Sequence, residues 1–133
     1  MIEAIFWQNS VKWVPLAVIA VVFGQSGIDK ILDWKGNLAW LEGHFRNSPL
    51  AKVVPLLLFI LTGCEVASAL LCMMAVATLA FGWGPDVARA AALLSNLTFL
   101  QLLLGQRVAK DYAGAASLTG YIVIAILALN ANA

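Results

Sequence analysis

Seven side chains carry most of the chemistry this sequence offers. Glu65 stands inside an otherwise apolar run, Phe59 to Ala80, where an ionisable group is costly and is normally turned toward a partner or a cavity. Gln25, Asp29 and Lys30 close an earlier apolar run, Gln101 and Arg107 close a third, and Tyr112 opens a fourth. If the runs alternate in direction, all seven lie toward one end of a bundle, and the other end holds little beyond Arg89 and Asn96. A one-sided polar pocket of this kind suits the head group of a quinone or lipid, or a carboxylate that exchanges a proton with a substrate. The alternative is that Glu65 pairs with Lys30 or Arg107 and fixes helix register with no ligand involved. Both readings stand at this stage.

The other reactive residue types offer less. His44 is the sole histidine and cannot alone assemble an ordinary multi-ligand metal site, so no metal, haem or copper centre is expected. It reads as a polar residue at an interface. Cys64 and Cys72 lie eight residues apart in one apolar run, about 12 Å along a helix, too far for a disulfide and better suited to close packing than to thiol chemistry. Asn96 and Gln101 read as hydrogen-bonding groups between helices as readily as substrate contacts. The sequence contains no glycine-rich phosphate loop and no Ser-His-Asp set.

The elements that position these residues follow from composition. Of 133 residues, 62% are hydrophobic and 11% charged, against about 25% charged in a soluble domain, and the mean hydropathy is +0.91. A membrane-spanning helix needs roughly 20 apolar residues, and four such runs occur, at about 11–32, 53–81, 87–104 and 113–129. The expected fold is all-α: a single transmembrane domain over residues 1–133, built as a four-helix bundle. The first run, preceded by Lys12, is read as a retained span and not a cleaved signal peptide. In the first loop, Trp34, Leu38, Leu41 and Phe45 fall at helical spacing opposite Lys35, Asn37, Glu42 and Arg46. That pattern predicts a short amphipathic helix lying at the membrane surface. Gly82-Trp83-Gly84-Pro85-Asp86 reads as a tight turn before the third span.

Small residues line one face of each span: Ala17, Ala20, Gly24 and Gly27; Cys64, Ser68, Cys72 and Ala75; Ala88, Ala91, Ala92 and Ser95; Ala116 and Gly120. In lipid such faces let helices approach closely, so a tight bundle without a wide channel is expected. Trp7, Trp13, Trp34, Trp40 and Trp83 read mainly as interfacial anchors. Lys30, Lys35, Arg46, Lys52, Arg107 and Lys110 flank the first and third loops, with only Lys12 and Arg89 on the other side. The bias toward basic cytoplasmic loops then places both termini on the non-cytoplasmic side. A net charge of +1 gives no basic surface for nucleic acid, which is excluded as a partner. Membrane lipids, subunits of a membrane complex or further copies of the chain are the expected partners.

The run Phe23-Gly24-Gln25-Ser26-Gly27-Ile28-Asp29-Lys30-Ile31-Leu32-Asp33 resembles the first-helix signature of DoxX-like membrane proteins, an apolar stretch followed by Gly-x-x-Lys. The resemblance extends to a proline-containing loop before the second span, to Gly63-Cys64-Glu65-Val66, and to four spans in a short chain. It implies an accessory membrane subunit of a quinone-linked redox complex, like the small subunit of a thiosulfate:quinone oxidoreductase, without its own redox centre and with quinone as the candidate cofactor. It also marks Lys30 and Glu65 as site residues, with Gly24 and Gly27 as packing residues. In the wild the cytoplasmic membrane of a prokaryote is the implied location. Two further readings are carried beside it: a stand-alone membrane enzyme on a lipid or small apolar molecule with Glu65 as acid or base, and a structural assembly protein. An enzymatic Glu65 needs a substrate-sized cavity and no strong ion-pair partner; a structural one is fully paired in a filled interior.

Overall fold

The structure, a computed structural model, describes residues 2–81 and 85–133, with side chains from Glu3 onward. Helix α1 covers Ile2–Leu32, α2 Trp34–His44, α3 Val54–Ala80, α4 Asp86–Val108, α5 Tyr112–Ser117 and α6 Thr119–Ala131; a 3₁₀ turn, Ala51–Val53, precedes α3. No strand occurs among the described residues. Four stretches are long and apolar enough to cross a membrane: Glu3–Leu32, Ala51–Ala80, Asp86–Val108 and Tyr112–Ala131. The expected turn at Gly82-Trp83-Gly84 lies outside the described residues.

The helix limits differ from expectation at two places, each for a local reason. Helix α1 begins at Ile2 and not near Val11, because nothing between them breaks a helix, and its 31 residues extend roughly 46 Å. The fourth span is not one uninterrupted helix. The Leu118 amide turns back to the Ala115 carbonyl at 3.2 Å, and Ser117 Oγ donates to the Gly114 carbonyl at 2.6 Å. The tightened turn separates α5 from α6.

Neighbouring spans follow the cyclic order α1, α3, α4, α6, with α1 against α3 as the largest interface. Helix α1 supplies the large core side chains, Leu16, Ile19 and Phe23, all almost completely buried. They meet a floor of small groups: Ala69, Cys72 and Ala75 on α3, Ala88, Ala91 and Ala92 on α4, Ala125 and Ala128 on α6. Phe23 and Phe99 close the core with ring centroids 4.4 Å apart. Bulk from one helix thus enters space left by alanines on three others, the packing on which helix association in lipid depends. On the fourth span the buried small residues are Ala115, Ala125 and Ala128, whereas Ala116 and Gly120, expected there, are exposed. The break at Leu118 sets the register of α6 independently of α5, which a single helical wheel misses.

Polar contacts add register. Ser68 Oγ and Thr98 Oγ1 lie 3.1 Å apart, and Cys72 Sγ and Ser95 Oγ 3.4 Å apart, between α3 and α4. Asn96 Nδ2 donates to the Ala125 carbonyl of α6 at 2.8 Å. At the opposite end of the molecule from the first loop, Arg89 Nε donates to the Asn132 carbonyl at 3.1 Å, and Asn132 Nδ2 donates to the Lys12 carbonyl at 3.3 Å, tying α1, α4 and the end of α6 together.

Candidate functional site

The acidic and basic groups of α3 and α1 meet directly. Lys30 Nζ lies 3.2 Å from Glu65 Oε2 and donates to Ser26 Oγ, one turn back on its own helix, at 2.7 Å. Glu65 is fully buried, and its other oxygen, Oε1, has no hydrogen-bond partner among the described residues. Lys30 keeps 14% of its side chain exposed. Close approach makes the pair possible: Gly27, one turn before Lys30, has Val66 packed so tightly against it that an added Cβ would sit 2.9 Å from Val66 Cγ2.

The other five sequence-derived residues are placed elsewhere. Gln25 and Asp29 are exposed on the outer face of α1, away from Glu65. Arg107 stands over the ring of Tyr112, 4.5 Å from its centroid, a cation-π pair joining the end of α4 to the start of α5. Gln101 Nε2 lies 3.5 Å from Cys64 Sγ, on the side of α3 facing α4. The seven residues therefore form two pairs and three separate positions, and the structure does not assemble them into one pocket.

A cavity of about 260 Å³ lies at the same end of the bundle, between α2, the start of α3 and the end of α4. Its wall is apolar, with Leu41, Phe45, Leu57, Leu58 and Leu61 prominent, and Trp40, His44, Gln101 and Gln106 carry its polar atoms. Glu65 and Lys30 are not on this wall. Cavities of this character, mostly apolar with a few convergent polar groups, are the usual form of a small-molecule site. Compared with known proteins, the chain matches no family model, no curated protein and no solved structure.

The polar edge of the cavity is built by two caps. Asp33 caps α2, its Oδ1 accepting from the Gly36 amide at 3.2 Å. This starts the helix immediately after α1 and carries Trp40 and His44 back over α3 and α4. Helix α4 ends when the Lys110 amide reaches the Arg107 carbonyl at 3.1 Å and the Asp111 amide the Gln106 carbonyl at 2.9 Å. Those two bonds make a Schellman ending, with Lys110 at φ 61° in the left-handed position that glycine normally takes. Asp111 then caps α5, accepting from the Gly114 amide at 2.9 Å. The sharp reversal sets Gln106 and Asp111 side by side under His44: His44 Nε2 lies 3.0 Å from Gln106 Oε1 and 3.7 Å from Asp111 Oδ2. Trp40 stacks on the imidazole with centroids 4.6 Å apart.

His44, Gln106 and the reassigned Trp40 were not legible as site residues. The helical spacing of Trp40 and His44 marks them as neighbours on α2, but nothing in it shows that α2 folds onto α4. The nearest signal is the Gln-Arg-x-x-Lys-Asp sequence after Gly105, and its tight ending carries a lysine where a glycine would have announced it.

Proposed function

We propose that the chain is an integral membrane protein that holds the head group of a quinone in the cavity beneath α2, serving as a DoxX-like accessory subunit of a redox complex. The observation that carries this reading is an apolar cavity between membrane-length helices whose wall holds few polar side chains, Trp40, His44, Gln101 and Gln106. A quinone ring is flat and apolar on its faces, with carbonyl oxygens that accept hydrogen bonds. The Gln101 side-chain amide carries N–H donors suited to those oxygens, and the stacked Trp40 suits the ring. The isoprenoid tail leaves between Ile60 and Leu104, both exposed on the outer surface of the bundle. In this reading α2 lies in the membrane interface, the first and third loops are cytoplasmic in a prokaryotic inner membrane, and both termini face the other side.

Glu65 and Lys30 hold α1 to α3 in this reading and do not touch the ligand. An acid–base role for Glu65 has less support, since its charge is paired and it does not line the cavity.

The test is mass spectrometry of small molecules that co-purify in mild detergent. Wild type is compared with Leu61→Phe, which fills the cavity, with Gln101→Leu, and with Glu65→Leu. A quinone retained by wild type and Glu65→Leu and lost from the two cavity variants supports the proposal. A phospholipid retained in that pattern replaces quinone by a lipid. Equal retention in all four, or none, overturns it.

A further inference from the structure

The outer face of α1 carries a continuous seam. Val11, Val14, Val18, Val21, Gln25, Ile28 and Leu32 recur at alternating spacings of three and four residues, and all are exposed. Between Lys12 and Gly24 the other α1 residues are at least partly covered by the bundle, so Val14, Val18 and Val21 form the narrow strip that α1 turns outward there. An outward apolar strip is ordinary for a helix facing lipid. Gln25 is not: it is an uncharged amide with two donors and two acceptor lone pairs, one turn inside the boundary marked by Asp29, about 6 Å, and it has no hydrogen-bond partner among the described residues. Two amides deeper in their spans are bonded, Asn96 to the Ala125 carbonyl and Gln101 at Cys64 Sγ, whereas Gln8 and Asn130, unbonded among the described residues, stand at span ends. Hydrocarbon offers Gln25 nothing to bond.

We infer that this face is the interface between two copies of the chain, packed through α1 about a two-fold axis normal to the membrane. Two copies inserted in the same orientation place residue 25 at the same depth, so the axis sets Gln25 opposite Gln25. A side-chain amide is complementary to itself: each N–H donates to the oxygen of the other. In the three-four repeat Gln25 takes the position at which a single buried polar residue fixes register and partner number, and Val18 and Val11 occupy the equivalent positions one and two heptads earlier. A shallow groove between α1 and α6, lined by Val14, Val18, Ile124 and Leu127, runs beside the seam and receives the flank of the second copy.

The test is the monomer–dimer equilibrium of the full chain in phosphatidylcholine bilayers, read by single-molecule photobleaching across protein-to-lipid ratios. Wild type is expected to dimerise, and Gln25→Leu to raise the dissociation constant about tenfold, or 1.4 kcal/mol, with Gln25→Asn partly restoring it. Because Gln25 has no hydrogen-bond partner among the described residues of its own chain, thermal stability of the monomer is expected to be unchanged. In a background with Cys64 and Cys72 replaced by Ala, Val18→Cys and Val21→Cys are expected to form disulfide-linked dimers, and Met73→Cys on the outer face of α3 is not. A wild type that stays monomeric at all ratios, a dimer equally tight in Gln25→Leu, or cross-linking through Met73→Cys in place of the α1 positions overturns the inference. An interface left for a different membrane protein would appear as the first of these outcomes.

Discussion

Separating Lys30 from Glu65 is expected to have unequal effects depending on which partner is removed. At 3.2 Å, and with an effective dielectric constant near 20, the attraction is about 5 kcal/mol before desolvation is charged against it. Lys30→Met leaves a carboxylate that is completely buried and without its cation, and removal of one partner from a buried pair costs roughly 3–5 kcal/mol. Glu65→Leu leaves a lysine at the end of its span with 14% of its side chain already exposed. Its flexible stem can carry the ammonium to water, which holds the cost below about 2 kcal/mol. The double variant Lys30→Met with Glu65→Leu replaces the pair by apolar groups and should lie within about 1 kcal/mol of wild type. The assay is sodium dodecyl sulfate titration from mild-detergent micelles, followed by helicity and tryptophan fluorescence. The two single costs should exceed that of the double variant by at least about 2 kcal/mol. If Lys30→Met costs less than Glu65→Leu, or if the single costs simply add to the double, the pair does not hold α1 on α3.

Four other outcomes use the same titration. Gly27→Ala is expected to cost about 1–3 kcal/mol, because Val66 Cγ2 stands only 2.9 Å from the added methyl. Gly24→Ala should change stability by less than about 1 kcal/mol, since its nearest neighbour, Ala69 Cβ, is at an ordinary 4.0 Å. Asn96→Leu removes the α4–α6 bond to the Ala125 carbonyl and should cost about 0.6–1.7 kcal/mol. Lys110→Gly should stabilise by about 0.5–1 kcal/mol, because glycine adopts the left-handed ending at φ 61° without steric cost.

The four apolar stretches were legible because their number and length follow from hydropathy alone, and the Lys30–Glu65 contact because a charge inside such a stretch needs a counter-charge. Arg107, the other cation considered for Glu65, lies at a helix end where the Tyr112 ring is within reach, so it had no need of a buried partner. Gln25 read as part of an interior pocket because polarity inside a span usually points inward; its place in the exposed three-four repeat was visible in the spacing but pointed the other way. The cavity depends on two connections, the cap at Asp33 and the reversal at Lys110, which act together over distant parts of the chain. Periodicity within one helix carries no information about that closure. The break at Leu118 is set by Ser117 donating to the Gly114 carbonyl three residues back, a choice that hydropathy does not register.

Trp40 offers the most direct test of a quinone site, because it stacks on His44 at the cavity wall and quinones quench indole fluorescence on contact. Trp7, Trp13, Trp34 and Trp83 would be replaced by Phe, leaving Trp40 as the fluorophore, and the protein titrated in detergent with a short-tailed benzoquinone. A saturable quench that is lost in Leu61→Phe and weakened in Gln101→Leu is the expected result. Quenching that rises linearly with quinone and is identical in both variants would be collisional, and would contradict a quinone site beneath α2.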